Sequence, residues 1–485
     1  MSTETDPLLP RSDLNGASRH NENHTPQSSE QHTPHSTLLK LLFVVAVAST
    51  CRGISMYSRY EYFKDERPEY YFSDWIRMPG ILVRMEMWST WASAVVCFAS
   101  IGWWSAFADR RGRKPVLFIS LLGTVLIDLI FIGAAGASFR NDGVSIGLIV
   151  EGLLGGFPTF IGVVHAYASD VSPSPISRTV IFGGIQAISF VFFRVGAYLS
   201  AFASVIVVGD AHESLGYAIS IPLASANMAY VYYNLPESLT LQRTENLPHP
   251  QSTSLNYIFA PLITLARKGP SRGKVVLLGF SIFVYSWTSA FAVKMVIFTS
   301  KQGFFHALPR WLLLTIPAAI SIGTLLAVFP ALASLVKSTY GDSEKSGRLL
   351  ARSLAQNSIL VAAVCSIGIL VFGGPRSSLL YGIFFFVYPF SIGALPALYS
   401  LGASYFIALG RSAELGALFG ALSIWVAWGE LMSYGYPNDN AYTLYYLVEW
   451  TAFYLVVSLL LLVPNGPPTE STDATVDMNE EGGAV

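Results

Sequence analysis

Long apolar runs separated by short polar stretches fill the sequence between residues 38 and 464. A helix needs about 20 mostly apolar residues to cross a bilayer. Twelve runs reach that length, at 38–58, 85–107, 115–138, 144–168, 179–208, 214–234, 275–299, 310–336, 353–373, 378–408, 411–434 and 441–464. The pattern predicts an all-α integral membrane protein with twelve transmembrane helices.

A polar stretch at 235–274 divides the spans into two blocks of six, 38–234 and 275–464. Two blocks of equal helix number are typical of transporters built from repeats. We therefore predict two six-helix bundles joined by a cytoplasmic linker. The ends of the chain, 1–37 and 465–485, are rich in polar residues and are predicted to be disordered cytoplasmic tails.

Prolines interrupt two of the longest spans. Pro317 and Pro330 lie in the eighth span, and Pro389 and Pro396 lie in the tenth. Proline removes a backbone hydrogen bond and bends a helix. Kinked helices are expected at both places.

The composition supports a membrane protein. The 485 residues are 52% hydrophobic and 13% charged, whereas soluble domains carry about 25% charged residues. The net charge is −1, so no basic surface indicates a nucleic-acid partner. Cys51, Cys97 and Cys365 all lie in apolar runs, which favours structural thiols over disulfides or a metal site. The lipid bilayer is the partner that the composition implies.

Most Lys and Arg residues lie in the segments that are cytoplasmic if the N-terminus is cytoplasmic. The positive-inside rule then predicts that both termini face the cytoplasm. Glu4, Leu8 and Leu9 form an acidic dileucine pattern in the N-terminal tail, which resembles signals read by sorting adaptors. The plasma membrane and a vacuolar or lysosomal membrane both fit.

A charged turn joins the second and third spans. It reads Asp109-Arg110-Arg111-Gly112-Arg113-Lys114. Gly112 suits a tight turn, and the cations suit the cytoplasmic face. Asp109 can pair with Arg113 or with a neighbouring helix N-terminus. A generic positive-inside turn is the alternative explanation for the separate basic residues.

This string resembles the signature that joins the second and third helices in the major facilitator superfamily. Ser105 stands where the family pattern has its first glycine. The resemblance implies that Asp109 engages Arg113 and the start of the eleventh helix near Arg411 and Ser412. In that family these residues set the equilibrium between the states of the transport cycle.

Two departures from the family pattern bear on the mode of transport. Glu151 stands where many members have an arginine in the fourth helix, with Gly155 completing the frame. The Gly-Pro motif of drug–proton antiporters is absent around Arg194. We therefore favour symport or uniport. The segment 168–178 is similar to the tetracycline-efflux and proton-coupled folate carrier branches.

Charges within the predicted spans are candidates for the solute and ion pathway, because a charge at mid-bilayer costs about 2.5–3.5 kcal/mol. Arg194 and Arg52 can contact an anionic solute, or they can form structural ion pairs. Asp128 can relay protons or neutralise either arginine. Glu151 is our first candidate for a coupling proton, because burial favours the neutral acid, and Glu449 is the second.

His165, in the fourth span, can titrate near neutral pH or can simply pack. The sequence carries no Ser-His-Asp arrangement, metal-ligand cluster or phosphate-binding loop, so an enzyme is not expected. We predict a secondary transporter for a small anionic or zwitterionic solute, with H⁺ as the coupling ion and no cofactor. A lipophilic drug or metabolite exporter and a non-transporting receptor or scaffold are the alternatives.

Overall fold

The computed structural model describes residues 34–66, 80–135, 140–206, 212–239, 272–299, 310–372 and 378–434. The α-helices of this part are α1 Pro34–Glu66, α2 Gly80–Arg111, α3 Arg113–Ala135, α4 Arg140–Leu153, α5 Gly156–Val171, α6 Pro175–Ile206, α7 His212–Asn234, α8 Arg272–Thr299, α9 Arg310–Gly323, α10 Phe329–Tyr340, α11 Glu344–Phe372, α12 Ser378–Val387, α13 Ala394–Ala408 and α14 Leu415–Tyr434. Eight described helical segments are long and apolar enough to cross a membrane.

Each of the first eleven predicted spans coincides with a helix or with a helix that is broken in the middle. The twelfth, 441–464, lies outside the described residues. Some boundaries differ from the prediction. The helix α1 begins at Pro34, so residues 34–37 are helical and not part of a disordered tail, and it continues past residue 58 to Glu66. Proline suits the first position of a helix, where its missing N–H has no partner to lose. The helix α8 begins at Arg272, inside the predicted linker 235–274.

The fourth span is broken between α4 and α5. Gly155 and Gly156 adopt φ angles of 89° and 56°, which only glycine takes easily. Side chains of α2 satisfy the carbonyls freed by the break. Ser100 donates to Gly152 O at 2.6 Å, and the Trp104 indole N–H donates to Leu153 O at 2.9 Å. Such replacement partners are what allow a helix to break inside a membrane.

Irregular turns also occur where the sequence placed prolines. A π-helical segment, Thr324–Val328, lies between α9 and α10 and is followed by Pro330. A 3₁₀ segment, Tyr388–Gly393, contains Pro389 and lies between α12 and α13. Proline cannot donate to the preceding turn, and the backbone adjusts locally. Irregular helical turns therefore lie in the eighth and tenth spans, where the prolines predicted kinked helices.

Glycine and serine residues bring α1 and α6 close together. Gly53 lies directly against the Phe193 carbonyl, and Gly196 against the Thr50 carbonyl, so neither position has room for a side chain. Ser49 and Ser189 share a hydrogen bond of 2.9 Å between the two helices. Membrane helices associate through such small residues and polar links. This packing sets the orientation of α1, which carries two buried or half-buried arginines.

Contacts between the N-terminal half, α1–α7, and the C-terminal half, α8–α14, run mainly through α14 and α6. The helix α14 packs on α2 and α5, and α6 packs on α11 and α13. The main core is shared by the two halves and includes Phe160, Phe182, Leu398 and Phe419. We call the end of the molecule that carries the turn 109–114 the signature end.

Candidate functional site

Asp109 joins the two halves at the signature end. Its carboxylate accepts a hydrogen bond of 2.5 Å from the Arg113 guanidinium. The same carboxylate accepts hydrogen bonds from the backbone N–H groups of Gly416 and Ala417, at 2.8 and 2.7 Å. Both N–H groups belong to the first turn of α14, where the helix dipole favours an anion. The contact implied by the resemblance is present, at Gly416 and Ala417 instead of Arg411 and Ser412.

A second layer of acids surrounds Arg113, whose side chain is fully buried. Asp170 of α5 accepts from Arg113 Nε at 3.2 Å. Glu237 accepts from the backbone N–H groups of Arg113 and Lys114, at 2.8 and 3.1 Å, at the start of α3. Gly112 has a φ of 108° and leaves no room for a Cβ beside Glu237. The tight turn predicted at Gly112 is thus confirmed, whereas Arg110 and the Lys114 side chain lie outside this buried network.

Ser105 packs against a glycine of the other half. Ser105 is buried and lies directly beside Gly420 of α14, which has no room for a Cβ. The family pattern has glycine in place of Ser105. Here the small residue that permits close approach lies on the partner helix instead.

Gly420→Ala is therefore expected to destabilise the closed signature end, because the new methyl group overlaps the Ser105 hydroxyl. Overpacking of this kind costs about 1–3 kcal/mol. Thermal unfolding of the purified protein measures the effect, and Ser105→Gly in the same chain should restore the stability. Gly184→Ala is the matched control, since its Cβ meets nothing within 4 Å. Equal effects of the two alanines would contradict this account.

An aromatic cluster closes the seam between the halves above the signature end. His165 of α5 contacts Phe182 of α6 and Tyr399 of α13, with ring centroids 4.9 and 4.6 Å apart. Phe182 and Phe419 of α14 meet edge to face at 5.6 Å. His165 is fully buried, and its Nδ1 donates to Ile161 O at 2.8 Å in the tautomer that this contact favours. His165 therefore packs in the seam, as one of the two sequence-based readings proposed.

Close backbone contacts reinforce the seam. Gly162 of α5 lies against Phe419 and Ser423 of α14. Thr179 of α6 and Ser400 of α13 share a hydrogen bond of 2.6 Å. The two halves are in tight contact from the signature end up to Ser423.

Four charged residues form an embedded cluster in the N-terminal half. Arg52 pairs with Glu151, and Arg59 lies 3.5 Å from Glu151 and 3.9 Å from Asp128. Ser55 donates to Asp128 at 2.7 Å. Asp128 is fully buried, whereas 22% of the Arg52 side chain is exposed. The cluster has two positive and two negative groups, and Arg52 is its most exposed member.

The cluster changes two sequence-based assignments. The suggestion that Asp128 neutralises Arg194 or Arg52 is wrong, because its cationic neighbour is Arg59. Glu151, our first candidate for a coupling proton, lies beside two guanidinium groups, those of Arg52 and Arg59. The sequence placed Arg59 in a loop, one residue beyond the predicted end of the first span at 58.

Arg194 lies apart from this cluster on α6. Its guanidinium is 4.4 Å from the centroid of the Phe190 ring. Gly183, about three turns earlier on the same helix face, lies against Phe329 of α10. Gly183 and Arg194 therefore share a face of α6, and at Gly183 this face packs on the C-terminal half. Four other residues singled out from the sequence lie outside the described residues: Glu449, Glu4, Leu8 and Leu9.

Glu430 is an embedded acid that the sequence reasoning missed. It lies in α14 and is exposed, although it is inside the predicted span 411–434. An acid within a predicted span is the signal that identified Glu151, and it applies equally to Glu430. Glu237 was also missed, because a position directly after the sixth span was assigned to the polar linker.

The described residues contain no group of three His, Cys, Asp or Glu side chains that could hold a metal ion. The charged residues are arranged as ion pairs and helix caps. This part of the chain therefore presents charges within a membrane-embedded helical bundle and no metal centre.

Comparison with known proteins agrees with this arrangement. No family model matches the chain. The MFS-type transporter avaJ of Aspergillus versicolor is 25% identical over 252 residues, which are 44% of this chain and 45% of that protein. The chain thus matches less than half the length of this curated relative.

Solved structures resemble the chain over most of its length. The human organic anion transporter MFSD10 has 16% identity and a TM-score of 0.59, with 88% of this chain and 99% of that chain covered. A bacterial homologue of the iron transporter ferroportin has 12% identity and a TM-score of 0.62, covering 88% and 98%. The E. coli fucose:proton symporter FucP has 12% identity and a TM-score of 0.56, covering 88% and 97%.

The chain has the all-helical fold of the major facilitator superfamily. The signature at 109–114 resembles the pattern of that superfamily, and the curated relative is named as an MFS-type transporter. The relative and these three structures are transporters or a transporter homologue by name, and none is named as an enzyme.

Proposed function

We propose that the chain is a secondary active transporter that moves a small organic solute by alternating access. The observation that carries this proposal is the difference between the two levels of the interface. At the signature end, Asp109 binds α14 and the aromatic cluster is closed. Farther from that end, Arg52 is partly exposed and Glu430 is exposed. A bundle that is closed at one level and open at another is what a rocking mechanism requires.

The signature end is proposed to face the cytoplasm, with both termini on that side. The distribution of Lys and Arg supports this orientation. The conformation described here is then closed toward the cytoplasm. Asp109, Arg113 and Gly112 would act on the equilibrium between conformations and would not contact the solute.

We infer the class of the solute from the charges of this chain. Similar structures are named for organic anions, fucose and iron, so the fold alone does not select a cargo. Arg52 is the partly exposed cation of the embedded cluster. We propose that it binds an anionic group of the solute, because a guanidinium matches a carboxylate in charge and geometry.

We propose that Glu151, the partner of Arg52, couples transport to a proton. In the conformation described, the Arg52 guanidinium is paired with the Glu151 carboxylate. Protonation of Glu151 would remove that negative charge and free the guanidinium for a solute anion. In the reverse order, the solute anion would leave Arg52 and Glu151 would lose its proton, so both would be released. Exchange of this kind would make a proton and an anionic group bind together, which is symport.

Arg52→Gln is the first test of the solute contact. Ligands that bind only the folded protein raise its stability by RT ln(1 + [L]/Kd). In a panel of organic anions, amino acids, sugars and lipophilic drugs, we expect Arg52→Gln to lose the stabilisation by compounds with an anionic group. Lys337→Gln, in an exposed surface ion pair with Asp342, is the matched control. If Arg194→Gln loses binding and Arg52→Gln binds normally, Arg194 and not Arg52 contacts the anionic group.

Flux in sealed proteoliposomes tests the transport function itself. Uptake of a bound compound should be saturable, and a proton gradient directed inward should accelerate it. Saturable binding with no flux would instead favour a receptor. Stabilisation by lipophilic drugs alone, unchanged by Arg52→Gln, would favour an exporter.

A further inference from the structure

One face of α14 leads from the closed seam to a charged group. Phe419 and Ser423 lie on this face and are buried against α5, α6 and α13. Glu430 is seven residues beyond Ser423, about two helical turns away on the same face. Unlike Ser423, it is exposed. The seam between the halves therefore ends between Ser423 and Glu430, and the Glu430 carboxylate faces the space above it.

Arg52 faces the same space from the N-terminal half. Its guanidinium lies 5.8 Å from the centroid of the Phe157 ring. Phe157 is five residues before Gly162 in α5, and Gly162 contacts Ser423. A cation of one half and an anion of the other are thus placed on opposite sides of the space above the seam.

Aromatic residues lie near each of these two charges. Phe98 of α2 and Trp428 of α14 are in edge-to-face contact, with ring centroids 6.0 Å apart. Trp428 is two residues from Glu430, and Phe157 is the ring beside Arg52. Such rings provide apolar contact area for the body of a solute. The polar groups at either side then fix its orientation.

We infer that the transported solute is a zwitterion, with its anionic group held by Arg52 and its cationic group held by Glu430. This inference rests on the proposed function and narrows its substrate class. A solute with a negative group alone would place no positive charge against the Glu430 carboxylate. A zwitterion pairs with a charge of each half, and it draws the two halves together when it binds.

Charge-matched probes test this inference on the purified full-length protein. The probes are L-amino acids with small, aliphatic and aromatic side chains, their N-acetyl derivatives, which are anions only, and their methyl esters, which are cations only. We expect at least one amino acid to raise the unfolding temperature. Its N-acetyl and ester forms should bind about tenfold or more weakly, equivalent to about 1.4 kcal/mol.

Two variants assign the charges to residues. Glu430→Gln should weaken binding of the amino acid about tenfold or more, to the level of its N-acetyl form. Glu430→Asp keeps the charge and should retain part of the affinity. Asp342→Asn, in the surface turn after α10, is the matched loss of a carboxylate and should leave binding unchanged.

Several results would overturn the inference. They are equal binding of the N-acetyl anion and the amino acid, unchanged amino-acid binding in a folded Glu430→Gln protein, and stabilisation by none of the amino acids. The proposed transport function has a separate readout. Saturable flux of an anion or a drug without amino-acid binding rejects the zwitterion alone. Amino-acid binding that depends on Glu430 with no flux supports the zwitterion site and rejects transport.

Discussion

Asp109→Asn is expected to shift the protein away from the conformation that is closed at the signature end. The Asp109 carboxylate holds the first turn of α14 through the Gly416 and Ala417 N–H groups. These contacts join the two halves, so they stabilise the closed conformation relative to the open one. A hydrogen bond to a charged group contributes about 1.5–3 kcal/mol. The closed population should therefore fall about tenfold or more.

Spin labels at Arg111→Cys and Lys345→Cys can measure this shift. Both positions are exposed near the signature end, on opposite halves of the chain. The native cysteines are buried, so labelling should favour the introduced thiols. Asp109→Asn should move the distance distribution to longer values, and Lys337→Gln should not. An unchanged distribution would show that Asp109 does not set the equilibrium.

Arg59→Met is expected to be among the most destabilising substitutions in the described part of the chain. It removes the cationic neighbour of Asp128 and one of the two cations beside Glu151. Breaking a buried ion pair by removing one partner costs about 3–5 kcal/mol, because the other charge stays buried. Thermal unfolding in detergent should show a large decrease in the unfolding temperature.

A second substitution separates this explanation from a simple packing defect. Arg59→Met together with Asp128→Asn removes both charges of the pair, so much of the lost stability should return. Arg52→Gln should cost less than Arg59→Met, since the Arg52 side chain is partly exposed. If the double variant is as unstable as the sum of its single variants, charge pairing does not explain the effect.

The apolar runs predicted the helices well because transmembrane helices are determined locally. About 20 apolar residues must satisfy every backbone group within the segment. Even the irregular turns near Pro330 and Pro389 followed from single residues. The exceptions were helix ends. The helix α1 continues past residue 58 to Glu66, and this extension converted Arg59 from a loop residue into a buried ion-pair partner.

The candidate site was predictable only in part. The ordered string 109–114 pointed to Asp109 and Arg113 as a unit, and the structure brings them together. The sequence did not reveal the partners of this string elsewhere in the chain. Glu237 lies more than a hundred residues from Arg113 in the chain, and a single sequence contains no sign of that pairing. The break after Glu151 is likewise stabilised by Ser100 and Trp104 of another helix.

The sequence by itself determined eleven helical spans, the position of the signature turn and the irregular turns near Pro330 and Pro389, because each depends on a run of neighbouring residues. Only the tertiary structure decided which charges meet. Asp128 faces Arg59, Arg52 faces Glu151, and Glu430 lies on the α14 face that leads from the seam. The reason is physical: the partner of a buried charge is set by the rotation and packing of helices that are distant in the chain.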